Sequence, residues 1–403
     1  MTTETLSEYL PNRESIEALS ERHSSRQPAV VEARLRAFEK YLALPMPGER
    51  SEGWRRTNFA GIDLSPVAPD LAVCEFTVAP ADSEHDIVVD TLDEGVMRGF
   101  LSSVTNTEVG LSISKFSALA QSVWMSGGVI DIPAGVEMSA PIIVDWKSGS
   151  YPRLEIHVGK GARASVLEMS SQPGRMTTGI VDIHVDDDAH LTYVHAQNAP
   201  RDAVVFSHQR AKLGRNAKLI TLNFAIGGKL ARADVEVNLA GQGAESDMLG
   251  LVFGEGDQQF AFETLQGHHA PDTRSDLLYK SALDDRSHSA YTGVIEIGHD
   301  APRSEAYQAN RNLLLSDGAR ADTEPKLAIL IDDVTRCTHG ATVGPIDEEQ
   351  LFYLRSRGID PQAATKIIAE GFFQDVFAKV GDERLTASLQ DLIAPHIGRL
   401  GAQ

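Results

Sequence analysis

The sequence holds only two cysteines, Cys74 and Cys337, in 403 residues. Two thiols cannot build a disulfide framework in a chain of this length, and an all-cysteine metal cage needs four ligands of that type; a reducing compartment is the simpler home. Positive charge is short as well, with 37 Lys and Arg against 57 Asp and Glu and a formal net charge of −20. Nucleic-acid binding as the main task and adhesion to an anionic membrane surface both require the opposite balance. No apolar run approaches the roughly 18 residues of a membrane-spanning helix. The first 20 residues are acidic and lack an apolar stretch, so they do not read as a secretory signal, and the expected location is cytoplasmic. The sequence has no GxxxxGK[ST], no GxGxxG between strand and helix, no CxxC and no GxSxG. ATP hydrolysis through a phosphate loop is therefore not expected of this chain.

Helical periodicity is confined to the two ends. From residue 1 to about 45 the pattern is helical: Pro28 opens a helix whose apolar residues Val31, Leu35, Phe38 and Leu42 recur at helical spacing, and Pro45, Pro47 and Gly48 close it. Trp54 reads as a packing anchor with Arg55 and Arg56 at the surface beside it. Residues 62–95 read as an irregular linker with short strands.

Between about Val104 and Leu330 short β-rich runs replace the helix signal, among them Pro141 to Trp146, Leu154 to Val158, Gly179 to Val185, Leu191 to His195, Leu219 to Phe224 and Ala233 to Leu239. A small residue after a tight polar turn recurs at Val136, Ala162, Ala189, Ala217 and Ala244, with gaps of 26, 27, 28 and 27 residues. The pattern returns at Ser287 and Ala319. A near-constant period of this size marks a solenoid. Strand-rich repeats without room for a helix select a parallel β-helix over leucine-rich, ankyrin, TPR or propeller repeats, with a β-sandwich as the rival. The expected organisation is a helical region and linker over 1–95, a β-helix core over 96–340 and a helical domain over 341–403.

The stretch DTEPKLAILIDDVTRCTHGATVGP, Asp322 to Pro345, carries the most chemistry. Cys337 and His339 are two apart and share a face if the segment is a strand. A thiolate and an imidazole on one face suit half of a transition-metal site, or a nucleophile and its base. Other histidines are weaker candidates. His190 and His195 differ in parity, and with His184 they read as solvated surface residues. His268 and His269 are adjacent, so at most one faces any given partner; Asp272, Thr273 and Ser275 mark a turn after them, and the pair is the second candidate site.

After Pro345 the helical pattern resumes. Leu351 and Leu354 share a face, Gly358 is a stop, Asp360 an N-cap and Pro361 the first helical residue. The next helix carries Ala364, Ile367, Ile368, Phe372, Phe373, Val376 and Phe377, and a further one carries Leu385, Leu389, Leu392 and Ile393. These faces can cap the solenoid end, and the breadth of the first also suits a partner surface over Ile367, Ile368, Phe372, Phe373, Val376 and Phe377.

The sequence resembles the SufB/SufD family of iron–sulfur cluster assembly scaffolds, most nearly its SufD branch. The resemblance rests on Asn310 to Ile359, on GFFQDVF, GVIDIPAGVEMSAPI and HHAPDTRSDLLYKSAL, and on WRRTNF. It implies a right-handed parallel β-helix flanked by helical domains and a scaffold, not an enzyme. It implies a SufB-like partner subunit, and a SufC-like ABC ATPase held by the C-terminal helices, which fits the missing phosphate loop. It places Cys337 and His339 at the interface of the two scaffold subunits, where a transient Fe–S cluster forms, with no cofactor held stably by this chain alone. His339 is the stronger candidate ligand and Cys337 the interface residue. The scarcity of cysteines argues against autonomous sulfur acceptance. A homodimer is possible for the isolated chain. Two other readings remain open: a purely structural partner without a cluster ligand, and a β-helix enzyme acting on polysaccharides.

Overall fold

The computed structural model describes residues 13–14, 16–17, 28–48, 50–51, 53–59, 75–79, 88–91, 114–124, 127–170 and 176–400. Cys74 and most of the expected 62–95 linker lie outside them.

The chain is a parallel β-solenoid built from two nine-stranded sheets, with helical segments at both ends of the sequence. One sheet, here sheet A, runs β1 (Phe76–Ala79), β4 (Ile142–Trp146), β6 (Arg163–Ser170), β8 (His190–Gln197), β10 (Lys218–Ala225), β12 (Glu245–Gly254), β14 (Arg274–Leu283), β16 (Ser304–Leu314) and β18 (Val334–Pro345). Sheet B runs β2 (Val88–Thr91), β3 (Gly127–Ile132), β5 (Arg153–Val158), β7 (Met176–Val185), β9 (Val204–Leu213), β11 (Leu230–Leu239), β13 (Gln259–His268), β15 (His288–Ile297) and β17 (Arg320–Ile329). Each coil contributes one strand to each sheet. The first strand of each sheet is antiparallel to its neighbour and the rest are parallel.

Small residues at the corners permit this stacking. Ala162, Ala189, Ala217 and Ala244 are fully buried, and each precedes a strand of sheet A. Ser287 and Ala319 precede strands of sheet B. They belong to the opposite corner of the coil, so the sequence pattern joins two separate turn series into one. The position equivalent to Ala244 in the following coil is Thr273, whose hydroxyl donates to the Ala270 carbonyl at 3.1 Å. Ser304 occupies the same position one coil later, with the same bond to Ala301 at 2.9 Å. A short hydroxyl side chain thus replaces alanine where it can satisfy the turn carbonyl, which is why the spacing fades there.

The helices cover the flanks. Helix α1 (Pro28–Ala43) and helix α2 (Lys115–Val123) pack together with Trp124, Tyr151 and Ile180 on the outer side of sheet B. The buried face of α1 is Val30, Ala33, Arg34, Ala37, Phe38 and Tyr41. Leu42, expected inside, is 59% exposed. The face turns because the Arg34 guanidinium lies 4.3 Å from the Trp124 ring, and a cation–π contact places a charged residue where apolar spacing alone would put leucine.

Helices α3 (Glu348–Ser356), α4 (Pro361–Val380) and α5 (Glu383–Gly398) follow the last strand. The Asp360 side chain accepts from the backbone N–H groups of Gln362 and Ala363, and Pro361 starts α4. Gly358, with φ +85°, turns the chain between α3 and α4. Phe373, Val376, Phe377, Leu385, Leu389 and Ile393 bury against Leu222, Phe224, Leu249, Leu251 and Leu278 of sheet A. Each such side chain contributes about 1.5–3 kcal/mol. Lys280 fixes the pairing with a bond to the Phe372 carbonyl at 2.7 Å and an ion pair to Asp375 at 2.6 Å. These helices therefore cover the flank of sheet A. The expected cap over the solenoid end is absent among the described residues, because the apolar face of α4 and α5 meets the outward leucines of β10, β12 and β14 instead.

Candidate functional site at the open end of the solenoid

Strands β17 and β18 are the edges of their sheets, and neither contains a buried residue. Earlier coils bury their inward side chains under the next coil; here the next coil is missing. Leu327, Ile329 and Val343 continue inward columns and are 41%, 43% and 43% exposed. Unpaired strand edges beside uncovered apolar side chains form a template for another chain. Pro325 lies within β17, opposite Gly293. A proline inside a strand marks an edge, and this signal was legible in the sequence.

Cys337 and His339 lie on β18, in register with Ala306 and Gln308 of β16. Both partners are fully buried inward residues, so Cys337 and His339 share the inward side of the last coil. Two residues apart on a strand, their Cα atoms are separated by roughly 6.6 Å. Cys337 is half-buried against the cluster of Ile295, Ile297, Ala301 and Ala306, and this burial pushes its thiol above the usual range. His339 is exposed. No group of three or more His, Cys, Asp or Glu that could hold a metal occurs among the described residues. This end offers two donors, whereas a tetrahedral site or an iron–sulfur cluster takes four.

Gln308, below His339, carries no signal in the sequence. It is fully buried, and neither its amide nitrogen nor its oxygen finds a partner among the described residues. Only the coil register reveals it.

The other histidines fall elsewhere. His268 is buried inside the solenoid, with one ring nitrogen 2.8 Å from Thr273 Oγ1 and the other 2.8 Å from Ser275 Oγ. Burial, and then the neighbouring His269, lower its pKa to about 4. With both nitrogens occupied it fastens a turn. His269 points away and meets Asn238 Oδ1 at 2.9 Å. His195 is not solvated: it is buried and lies 3.2 Å from Gln209 Nε2 in an interior network with Asn223 and Tyr279. Inward strand positions normally read as apolar, and this polar file replaces them. His190 faces outward, 2.7 Å from Arg163 Nη1.

The six residues read as a partner surface on α4 divide. Phe373, Val376 and Phe377 are buried against sheet A, Ile368 and Phe372 are partly buried there, and Ile367 is 45% exposed. On α3, Phe352 and Tyr353 are 73% and 55% exposed.

Residues 142–372 match the sequence model of the SufBD core domain of the SUF system for Fe–S cluster assembly. An iron–sulfur cluster assembly SufBD family protein of Mycobacterium leprae is 29% identical over 382 residues, covering 90% of this chain and 94% of the relative. A counterpart in Mycobacterium tuberculosis is 30% identical over 299 residues, covering 70% of this chain and 75% of the relative. The iron–sulfur cluster assembly protein SufD of Escherichia coli is 26% identical over 377 residues, covering 86% and 88%.

Proposed function

The chain belongs to the SufBD family, and from that premise we propose that it is the SufD-like half of a SUF scaffold for Fe–S cluster assembly. The observation that carries this reading is the open solenoid end. Edge strands β17 and β18 leave Leu327, Ile329 and Val343 uncovered around Cys337 and His339. A SufB-like subunit with a matching open end supplies the absent coil and the remaining ligands. The nascent cluster is the cargo built between them. His339 is its ligand from this side, since the ring is exposed. Cys337 packs the interface and binds only when it is uncovered and deprotonated, because its burial favours the thiol. In the absence of its partner the same end pairs two copies of the chain.

The helical region that follows β18, made of α3, α4 and α5, holds a SufC-like ABC ATPase. Its contact surface is the outer side of α3 and α4, around Phe352, Tyr353 and Ile367, while Phe373, Val376 and Phe377 anchor α4 to sheet A. Nucleotide-driven movement of the ATPase then reaches the solenoid through the Lys280–Asp375 and Lys379–Asp276 ion pairs, at 2.6 and 2.8 Å. The test is Val343→Asp, which places a charge in the apolar end. Loss of the scaffold heterodimer with a retained fold supports the reading; an unchanged heterodimer refutes it.

A further inference from the structure

A cavity of about 590 Å³ lies on the solenoid corner that leads into sheet B. Its cationic lining is Arg55, Arg56, Lys229, Arg286 and Arg320, with His288 beside them. Against these stand two carboxylates, Asp257 and Asp322, which leaves an excess of three positive charges. The whole chain carries −20. A local surplus of cations in so acidic a protein is the reverse of what chance placement gives.

The surplus is held in place by structure. Trp54 is buried against Phe59, Phe116 and Phe206, and the Arg232 guanidinium lies 3.8 Å over its ring. Arg232 Nη1 also donates to the Gly53 carbonyl at 2.7 Å, and the Asn58 N–H donates to Gln259 Oε1 at 3.1 Å. Gly53 has φ +72° and meets Glu263 where a Cβ would stand, so this approach is open to glycine. The clamp presents Arg55 and Arg56 across the corner from cations on the solenoid. His288 and Arg320 are register partners in successive coils, about 4.8 Å apart. Asp322 is already shared by two of the arginines and His288, with Arg320 at 2.9 Å, His288 at 2.9 Å and Arg56 at 3.4 Å. Gathering like charges this closely costs stability unless an anion offsets them.

We propose that this cavity binds a small ligand through a phosphate or polyphosphate group. Four of the lining cations are arginines, whose planar forks match phosphate oxygens two at a time, whereas diffuse attraction of acidic surfaces does not call for that geometry. The cavity volume falls in the range of small-molecule sites, roughly 300–1,000 Å³. The site is separate from Cys337 and His339 and does not depend on the role assigned to them.

Calorimetric titration of the full chain with inorganic pyrophosphate, with ADP and with a poly-glutamate peptide tests this. Saturable binding of pyrophosphate or ADP is expected, and the tighter of the two assigns the source as free polyphosphate or a phosphate ester. Arg286→Gln and Arg55→Gln should each weaken it by about tenfold or more, the scale of one charge-assisted hydrogen bond. Asp257→Asn should tighten it, which keeps the test open if an arginine variant fails to fold. Arg163→Gln, on the opposite sheet, should leave it unchanged. The proposal falls if neither phosphate compound saturates, if Arg163→Gln weakens binding as much as Arg286→Gln does, or if only poly-glutamate binds.

Discussion

His339 stands in register with Gln308, one coil beyond it on the inward side of sheet A. One residue is exposed and the other fully buried with an amide unpartnered among the described residues, and the boundary between them is where the solenoid opens.

The exposed member should be dispensable for folding. His339→Ala removes a surface side chain, so stability should change by no more than about 0.5 kcal/mol. Cluster formation in the assembled complex should fall by contrast. Urea unfolding of the isolated chain and iron–sulfur absorbance of the complex separate the two effects. Normal cluster yield from the variant would remove His339 from the site.

The buried member should behave oppositely. An unsatisfied buried amide costs about 1–3 kcal/mol, whereas an apolar side chain of the same shape carries no such penalty. Gln308→Met should therefore leave the isolated chain as stable as before or more so by about 1 kcal/mol. A lower urea midpoint would show that Gln308 has a structural partner.

The two sides of α4 should separate anchoring from docking. Phe373→Ala empties a buried site and should cost about 3–5 kcal/mol. Ile367→Asp should leave the unfolding midpoint nearly unchanged while weakening ATPase capture. Equal capture by wild type and Ile367→Asp would move the docking surface elsewhere.

Acid should destabilise the fold in two steps. His268 has a folded pKa near 4, below the ordinary histidine value of 6.5. The unfolded chain thus binds more protons between those values, and stability is lost as pH falls through that window. Burial raises the Glu255 carboxyl, but hydrogen bonds from His396 and Arg399 and the charge of Arg201 outweigh it and hold the group at about 2, below its ordinary 4.5. Its contribution is present above 4.5 and is lost as pH falls from there toward 2. His268→Gln should flatten the upper step and Glu255→Gln the lower one in stability measured against pH. Curves identical to wild type would contradict both assignments.

Burial of the Cys337 thiol should slow its alkylation. In the isolated chain the peptide containing Cys337 should react with iodoacetamide more slowly than a free thiol at neutral pH, and faster as pH rises, because the thiolate is the nucleophile. Peptide mass spectrometry resolves this site from Cys74. Reaction at the free-thiol rate would show that the last coil does not cover the sulfur.

Much of this was legible in the sequence, and the limits have physical causes. The spacing of 27 or 28 residues between Ala162, Ala189, Ala217 and Ala244 identified the solenoid, because coil stacking demands small residues at a corner. The same spacing could not separate Ser287 and Ala319, which serve the other corner. Parity placed Cys337 and His339 on one side of a strand, since side-chain alternation is local. It could not say that His195 and His268 point into the core, because polar partners such as Gln209 and Ser275 come from other strands. The helical faces after Asp360 were evident, yet their target was not: whether they met the end or the flank of the solenoid depended on Leu222, Leu249 and Leu278, which align only after coiling.

The central claim is that the open end is completed by a different scaffold chain. Its most direct test is the native mass of this protein co-expressed anaerobically with a SufB-like subunit and a SufC-like ATPase. One copy of this chain with one SufB-like chain and two ATPase chains is the predicted result. Recovery of this chain alone or as a homodimer, with both partners present and folded, would contradict it.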